Sequence, residues 1–162
     1  VADDQPRTGG RLRLSAYLPY RLSVASNKAS SLIARAYQTR FGLSVWEWRL
    51  IAVLGAGEAL TAQALCEATA MDKVTVSRAI RSLDERGLVT RRRDAADRRA
   101  SHVSLTTDGR AIYTEVAPLA LAYETALLEG FSEEERAAFM ALLDRLERRL
   151  DALQADGGGF HG

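Results

Sequence analysis

The chain has 162 residues, 47% hydrophobic and 27% charged, values that exclude extensive disorder and allow one domain, with or without an oligomerisation appendage, to bury a core. Its single cysteine excludes an intramolecular disulfide framework, and one cysteine with two histidines offers no metal-ligand cluster, so no cofactor is expected. The net charge of +1 hides an asymmetry: residues 71–100 hold nine Lys/Arg against five Asp/Glu, whereas residues 111–162 hold four against ten.

Residues 1–12, opening "VADDQPRTGG", lack periodicity and are expected to be a disordered tail, as is 154–162 with its "DGGGFHG". From Leu18, apolar residues recur at Leu22, Ala25, Ala29, Leu32 and Ala36, steps that predict a long amphipathic helix, with Pro19 in its first turn and Gly42 closing it. "SVWE" (Ser44 to Glu47) predicts a capping box that opens a second helix running to about Leu54, and "GAGE" breaks it. Thr61 is placed to cap a short helix, "TAQALCEATA", and Asp72 to cap the next, "KVTVSRAIRSLDER", which ends at Gly87. The period then changes. "LVTRRR" and "ASHVSL" are β-branched, roughly alternating runs joined by the polar "DAADRR", a hairpin pattern. Thr106 or Thr107 opens a long helix striped by Ile112, Val116, Leu119, Tyr123 and Leu127, which Pro118 is expected to kink. Ser132 and Glu135 predict a second capping box, before a last helix carrying Phe139, Leu142, Leu143, Leu146, Leu150 and Leu153.

Two short helices joined by a tight turn and followed by a hairpin make the ground plan of a winged helix-turn-helix. On a helical wheel of the 73–83 segment, Val76, Ala79, Ile80 and Leu83 gather on one side. Val74, Ser77, Arg78 and Arg81 gather on the other, with Lys73 and Thr75 at its margins. Hydroxyls, a branched methyl pair and long cations suit a major groove, where arginine donates twice to guanine and valine meets a thymine methyl. "RRRDAADRRA" (residues 91–100) lies at the tip and flanks of the hairpin, where arginines reach phosphates or a narrow minor groove. Asp97, two residues from Arg99, is placed to orient its guanidinium through a bidentate pair. The expected partner is double-stranded DNA, held by Lys73, Val74, Thr75, Ser77, Arg78 and Arg81 from the helix and by Arg91, Asp97, Arg98 and Arg99 from the wing.

The stretch "MDKVTVSRAIRSLDERGLVTRRRDAADRRASHVSLTTDGR", residues 71–110, resembles the MarR family of bacterial transcriptional regulators. Leu83, Gly87, Leu88, Val89, Arg91, Asp97, Arg99, Leu105, Thr106 and Gly109 carry the match, and "GLSVWEWRLIAVL" is similar to the family's second helix. Ala95 departs from the pattern, since many members have proline after the first wing aspartate. The resemblance, covering roughly residues 15–153, implies a mainly α fold with a small β-hairpin wing. It implies a winged helix-turn-helix over 44–106, with a recognition helix at about 72–86 and a wing at about 88–105. It implies further that 13–43 and 107–153 supply helices of a dimerisation domain, so that a homodimer binds a pseudo-palindromic operator. Such regulators commonly repress a neighbouring operon until a small ligand, often an aromatic acid, binds between the two parts.

Tyr17, Tyr20, Arg21, Trp46 and Arg49 would make a wall for an aromatic anion, with arginine clamping a carboxylate. The plainer alternative, that the tyrosines pack and the arginines are surface charges, is slightly preferred. Trp46 and Trp48 cannot face the same way; Trp48 takes the family's core aromatic position, and Trp46 lines a cleft or a dimer interface. Some relatives sense oxidants through a cysteine near the first helix, but Cys66 sits among alanine and leucine and reads as a buried, inert thiol. His102 reads as a phosphate contact or a solvated residue rather than a catalyst. No glycine-rich phosphate loop, G-x-S-x-G elbow or paired-histidine motif is found, and an enzyme is not expected. No apolar run approaches about 18 residues and no signal-peptide core is seen, while a start on Val1 points to a trimmed chain; a cytoplasmic protein with no membrane partner is expected. Two rivals stand beside the ligand-released repressor. One is a DNA-binding regulator without a small-molecule ligand, and the other a winged helix used for protein–protein contact.

Overall fold

The structure, a computed structural model, describes residues 12–93 and 101–155. A single 3-10 turn, Leu14–Ala16, precedes α1 (Leu18–Phe41). There follow α2 (Val45–Ala56), β1 (Leu60–Thr61), α3 (Ala62–Thr69), α4 (Lys73–Glu85), β2 (Val89–Arg93), β3 (Ser101–Leu105), α5 (Thr107–Leu127) and α6 (Glu133–Ala155). The chain divides into two compact units, one up to Tyr123 and one from Glu124 onward.

In the first unit the helix boundaries follow local chemistry. Pro19 sits in the first turn of α1, and Gly42 ends that helix at φ 61°, a left-handed conformation that costs glycine little. Ser44 and Glu47 form the expected capping box: the Ser44 hydroxyl accepts from the Glu47 N–H, and Glu47 Oε2 accepts from the Ser44 N–H at 2.6 Å. Thr61 caps α3 through the Ala64 N–H, and Asp72 caps α4. The helix α2 continues to Ala56, two residues beyond the expected end.

One element was not legible beforehand. Leu60 and Thr61 form a two-residue strand paired antiparallel to β3 (Leu60 opposite Val103, Thr61 opposite His102), giving a three-stranded sheet in the order β1-β3-β2. The run is too short to show alternation, and only the neighbouring hairpin edge makes it a strand. The hairpin itself is as expected, with Val89 opposite Leu105 and Arg93 opposite Ser101. The helix α5 runs through Pro118 as one element, so the proline does not divide it.

The core of this unit is built from Leu50, Ile51 and Leu54 of α2, Leu65 of α3, the four apolar residues of α4, and Val89 and Val103 of the sheet. Tyr37, Trp48 and Tyr113 stack in series at 5.7 and 6.5 Å, joining α1, α2 and α5. Cys66 packs half-buried against the core. The Thr106 hydroxyl donates to Gly87 O at 2.7 Å and accepts from the Gly109 N–H, tying the end of α4 to the start of α5. In the second unit Ser132 and Glu135 form the second capping box, and α6 buries none of its residues.

Gly109 is where α5 crosses the entry to β2: a Cβ there would collide with the Leu88 carbonyl oxygen, a backbone atom that cannot step aside. Gly109→Ala is therefore expected to destabilise the fold by about 2 kcal/mol or more, read as a lowered urea midpoint with an unchanged slope. An unchanged midpoint would show that α5 docks more loosely than this contact implies.

Candidate nucleic-acid interface

The helix α4 has two faces. Val76, Ala79, Ile80 and Leu83 are buried, and Lys73, Val74, Ser77, Arg78 and Arg81 are exposed, Val74 at 59%. A branched apolar side chain that exposed beside two arginines is not explained by packing within the chain. Thr75 is half-buried and already engaged: its hydroxyl donates to Asp72 Oδ2 at 2.6 Å, while Asp72 Oδ1 accepts the Val74 and Thr75 N–H groups at 2.9 Å. Those donors, the Thr75 hydroxyl first, hold the Asp72 carboxyl below its usual range, so the cap stays ionised. Thr75 thus stands at the margin of the exposed face, as its wheel position implies.

Arg91 and Arg92 are neighbours on β2 and so point to opposite faces of the sheet. Arg91 turns back toward α4, its Nε 3.4 Å from Asp84 Oδ2, a half-exposed pair of small energetic weight. Arg92 is exposed and sits opposite His102 in the ladder. Arg92 is not among the wing residues expected from the sequence; alternation places it on the face opposite Arg91, and the fold decides which of the two meets Asp84. Asp97, Arg98 and Arg99 lie outside the described residues.

The five residues considered for an anion site are only partly brought together. Trp46 is 47% exposed at the start of α2, and the Arg49 guanidinium lies 5.4 Å from its ring centre. Both line a cleft of about 580 Å³ between α1 and α2, with Arg35, Gln38, Ser30 and Ser31 among the other walls. Burial raises the Tyr37 phenol above its usual range and the Arg49 charge partly offsets this, so Arg49 is felt in the core as well. Tyr17, Tyr20 and Arg21 do not line this cleft; they stand exposed at the N-terminal end of α1, where Arg21 donates to Ser15 O. A second cleft, of about 390 Å³, lies between Trp46 and Glu47 on one side and Thr75, Arg78 and Ser82 of α4 on the other.

Among the described residues Glu47 is the buried charged side chain, 6% exposed. Beyond its capping role, its Oε1 accepts from the Ser82 hydroxyl at 2.6 Å and lies 3.6 Å from an Arg86 nitrogen. Arg86 also donates to Phe41 O at 2.6 Å and to Gly42 O at 3.3 Å. Sequence spacing revealed the cap but not these longer contacts, which join residues 35 or more apart.

Burial pushes the Glu47 carboxyl up, but the Ser82 hydroxyl, the Ser44 groups and the Arg86 charge outweigh it and hold the carboxyl below its usual range. With the folded value below the unfolded one, Glu47 contributes stability that is present above the ordinary carboxylate range and is lost as pH falls through the folded value. Glu47→Gln is expected to cost about 1–3 kcal/mol at neutral pH. The gap should close as wild type loses stability below about pH 4.3. Urea unfolding of both proteins down the acid limb checks this; parallel curves would sink it.

A model of the MarR family matches residues 41–100. A MarR family transcriptional regulator from Silicibacter pomeroyi is 34% identical, with 84% of this chain and 99% of that one covered and a TM-score of 0.71. A MarR/EmrR family regulator from Acinetobacter sp. ADP1 is 27% identical, covering 87% and 99% with a TM-score of 0.80. BpsR of Bordetella bronchiseptica, whose DNA binding is regulated by 6-hydroxynicotinic acid, is 28% identical, covering 85% and 98% with a TM-score of 0.75. The exposed face of α4, the three-stranded sheet beside it and these likenesses agree: the chain belongs to the MarR family of transcriptional regulators, DNA-binding proteins of the winged helix type.

Proposed function

We propose that this protein is a homodimeric repressor that binds a pseudo-palindromic operator and is released by a small aromatic acid. The observation that carries the DNA contact is the exposed face of α4, which offers Lys73, Val74, Ser77, Arg78 and Arg81 opposite a fully buried one. In this reading Arg78 and Arg81 donate to base edges, Val74 meets a thymine methyl, Lys73 and Ser77 reach bases or phosphates, and Thr75 flanks the groove. Arg98 and Arg99 grip the backbone or minor groove from the wing, Asp97 orients Arg99, Arg91 braces the wing against Asp84, and Arg92 joins the phosphate contacts.

Dimerisation is assigned to the first helix and the last two, α1, α5 and α6. In α1 the expected stripe remains largely uncovered, with Leu18 and Leu32 exposed; in α6 Phe139, Met140, Leu142 and Leu150 are exposed. That much apolar surface on two helices is what a second copy buries. The half-sites of such a dimer are about 34 Å apart, one helical turn.

The effector is placed in the α1–α2 cleft, its ring against Trp46 and its carboxylate on Arg49 or Arg35. The named regulation of BpsR by an aromatic acid supports this chemistry. Tyr17, Tyr20 and Arg21 enter the site only if the second copy brings a surface to that end of α1. A differential affinity of about 1–3 kcal/mol between two dimer geometries changes DNA affinity roughly 5- to 150-fold.

The test is fluorescence anisotropy with a duplex that the protein selects from a random pool, against random duplex. The selected duplex is expected to bind at least about 10³-fold tighter, and binding should weaken about 10³- to 10⁵-fold between roughly 50 and 200 mM salt. Arg78→Ala should relax selectivity by about 1–3 kcal/mol at one base pair, and Arg99→Ala should weaken binding with the dimer intact. Weak, unselective binding by wild type would favour protein contact as the use of this winged helix.

A further inference from the structure

Arg86 closes α4 at its C-terminal cap and reaches across to the end of α1, away from the exposed face that carries Arg78 and Arg81. There it donates to the carbonyl of Phe41, the last residue of that helix, whose oxygen has no helical partner, and to Gly42 just beyond. A cation at a helix C-terminus is also favoured by the helix dipole. The same guanidinium lies 3.6 Å from Glu47, which caps α2 and accepts the Ser82 hydroxyl from α4. Three helices, α1, α2 and α4, are thus fastened through three side chains.

The apolar face of α4 already anchors it to the core, but hydrophobic burial is non-directional and tolerates small rotations. Charge-assisted hydrogen bonds of 2.6 Å fix direction. We propose that Glu47, Ser82 and Arg86 are positioning residues for sequence selection: they set the angle between α4 and α1, and their loss weakens selective DNA binding more than unselective binding. Base edges demand placement of the reading helix to a fraction of an ångström, whereas long cations follow phosphates through larger shifts. Because α1 belongs to the proposed dimer interface, this angle also sets the separation of the two recognition helices. The inference rests on the DNA-binding reading given above.

The experiment compares wild type with Arg86→Ala, Ser82→Ala and Arg86→Lys, each below its melting transition, on selected and random duplexes. Arg86→Ala is expected to lower the ratio of the two affinities about 10-fold, a size that mutations in such networks give, with random-duplex affinity and dimer mass nearly unchanged. Ser82→Ala should act in the same direction, and Arg86→Lys, which keeps the charge and reaches one carbonyl, should recover part of the ratio. Combined with Glu47→Gln, the losses should be less than additive, since the residues share partners. A variant that melts earlier yet keeps the wild-type ratio overturns the proposal and leaves Arg86 as a stability contact. If Arg86→Ala fails to fold, Ser82→Ala, which removes one hydroxyl, carries the same test. A wild type that selects no duplex overturns the DNA reading itself and this inference with it.

Discussion

A carboxylate removed from water must be paired from every side, and Glu47 is held that way. Its two oxygens take the Ser44 N–H and the Ser82 hydroxyl, and Arg86 stands close enough to balance the charge. Meeting this demand brings the start of α2, the end of α1 and the last turns of α4 to one place. The helix α4, to which the DNA contact is assigned by proposal, is therefore held by polar contacts at its C-terminal half and by apolar contacts along its length. Its N-terminal half, capped by Asp72, exposes Lys73, Val74, Ser77 and Arg78.

That division of labour shapes the rest of the first unit. The turn from α4 into β2 passes close beneath α5, and Gly109 is the residue that allows it. Thr106 bonds to both sides of that crossing, so the sheet, α4 and α5 are tied at one point. The Tyr37–Trp48–Tyr113 stack does the same for α1, α2 and α5 on the other side. Such bracing fits the DNA contact proposed for α4, where cations on long stems can adapt but the helix bearing them should not.

The two tryptophans of α2, two residues and about half a turn apart, face different surroundings. Trp48 is enclosed by tyrosines and contributes to the core. Trp46, two residues earlier, stands beside Arg49 at the shared margin of two clefts, one toward α1 and one toward α4. A planar anion bound at Trp46 in the proposed site would lie next to Ser44, whose N–H is bonded to Glu47, the residue that fastens α2 to α4. From the proposed effector site to α4 the route runs through Ser44, Glu47 and Ser82.

Much of this architecture was written in local sequence. The caps at Ser44, Thr61, Asp72 and Ser132, the left-handed stop at Gly42 and the two faces of α4 depend on residues a few positions apart, and spacing reveals such relations directly. The hairpin was visible for the same reason. What local spacing does not encode is which distant groups meet. The strand status of Leu60 and Thr61 depends on the edge of β3, and the division of Arg91 from Arg92 depends on where Asp84 lies. Trp46 and Arg49 meet in a cleft that leaves out Tyr17, Tyr20 and Arg21, because about 1.5 Å of rise per residue carries those three well up α1. Glu47 reads in sequence as a helix cap, and only the tertiary structure makes it a junction: a buried charge takes its partners from whatever the fold brings near, and here Ser82 and Arg86 come from α4 and its C-terminal cap, 35 or more residues further along the chain.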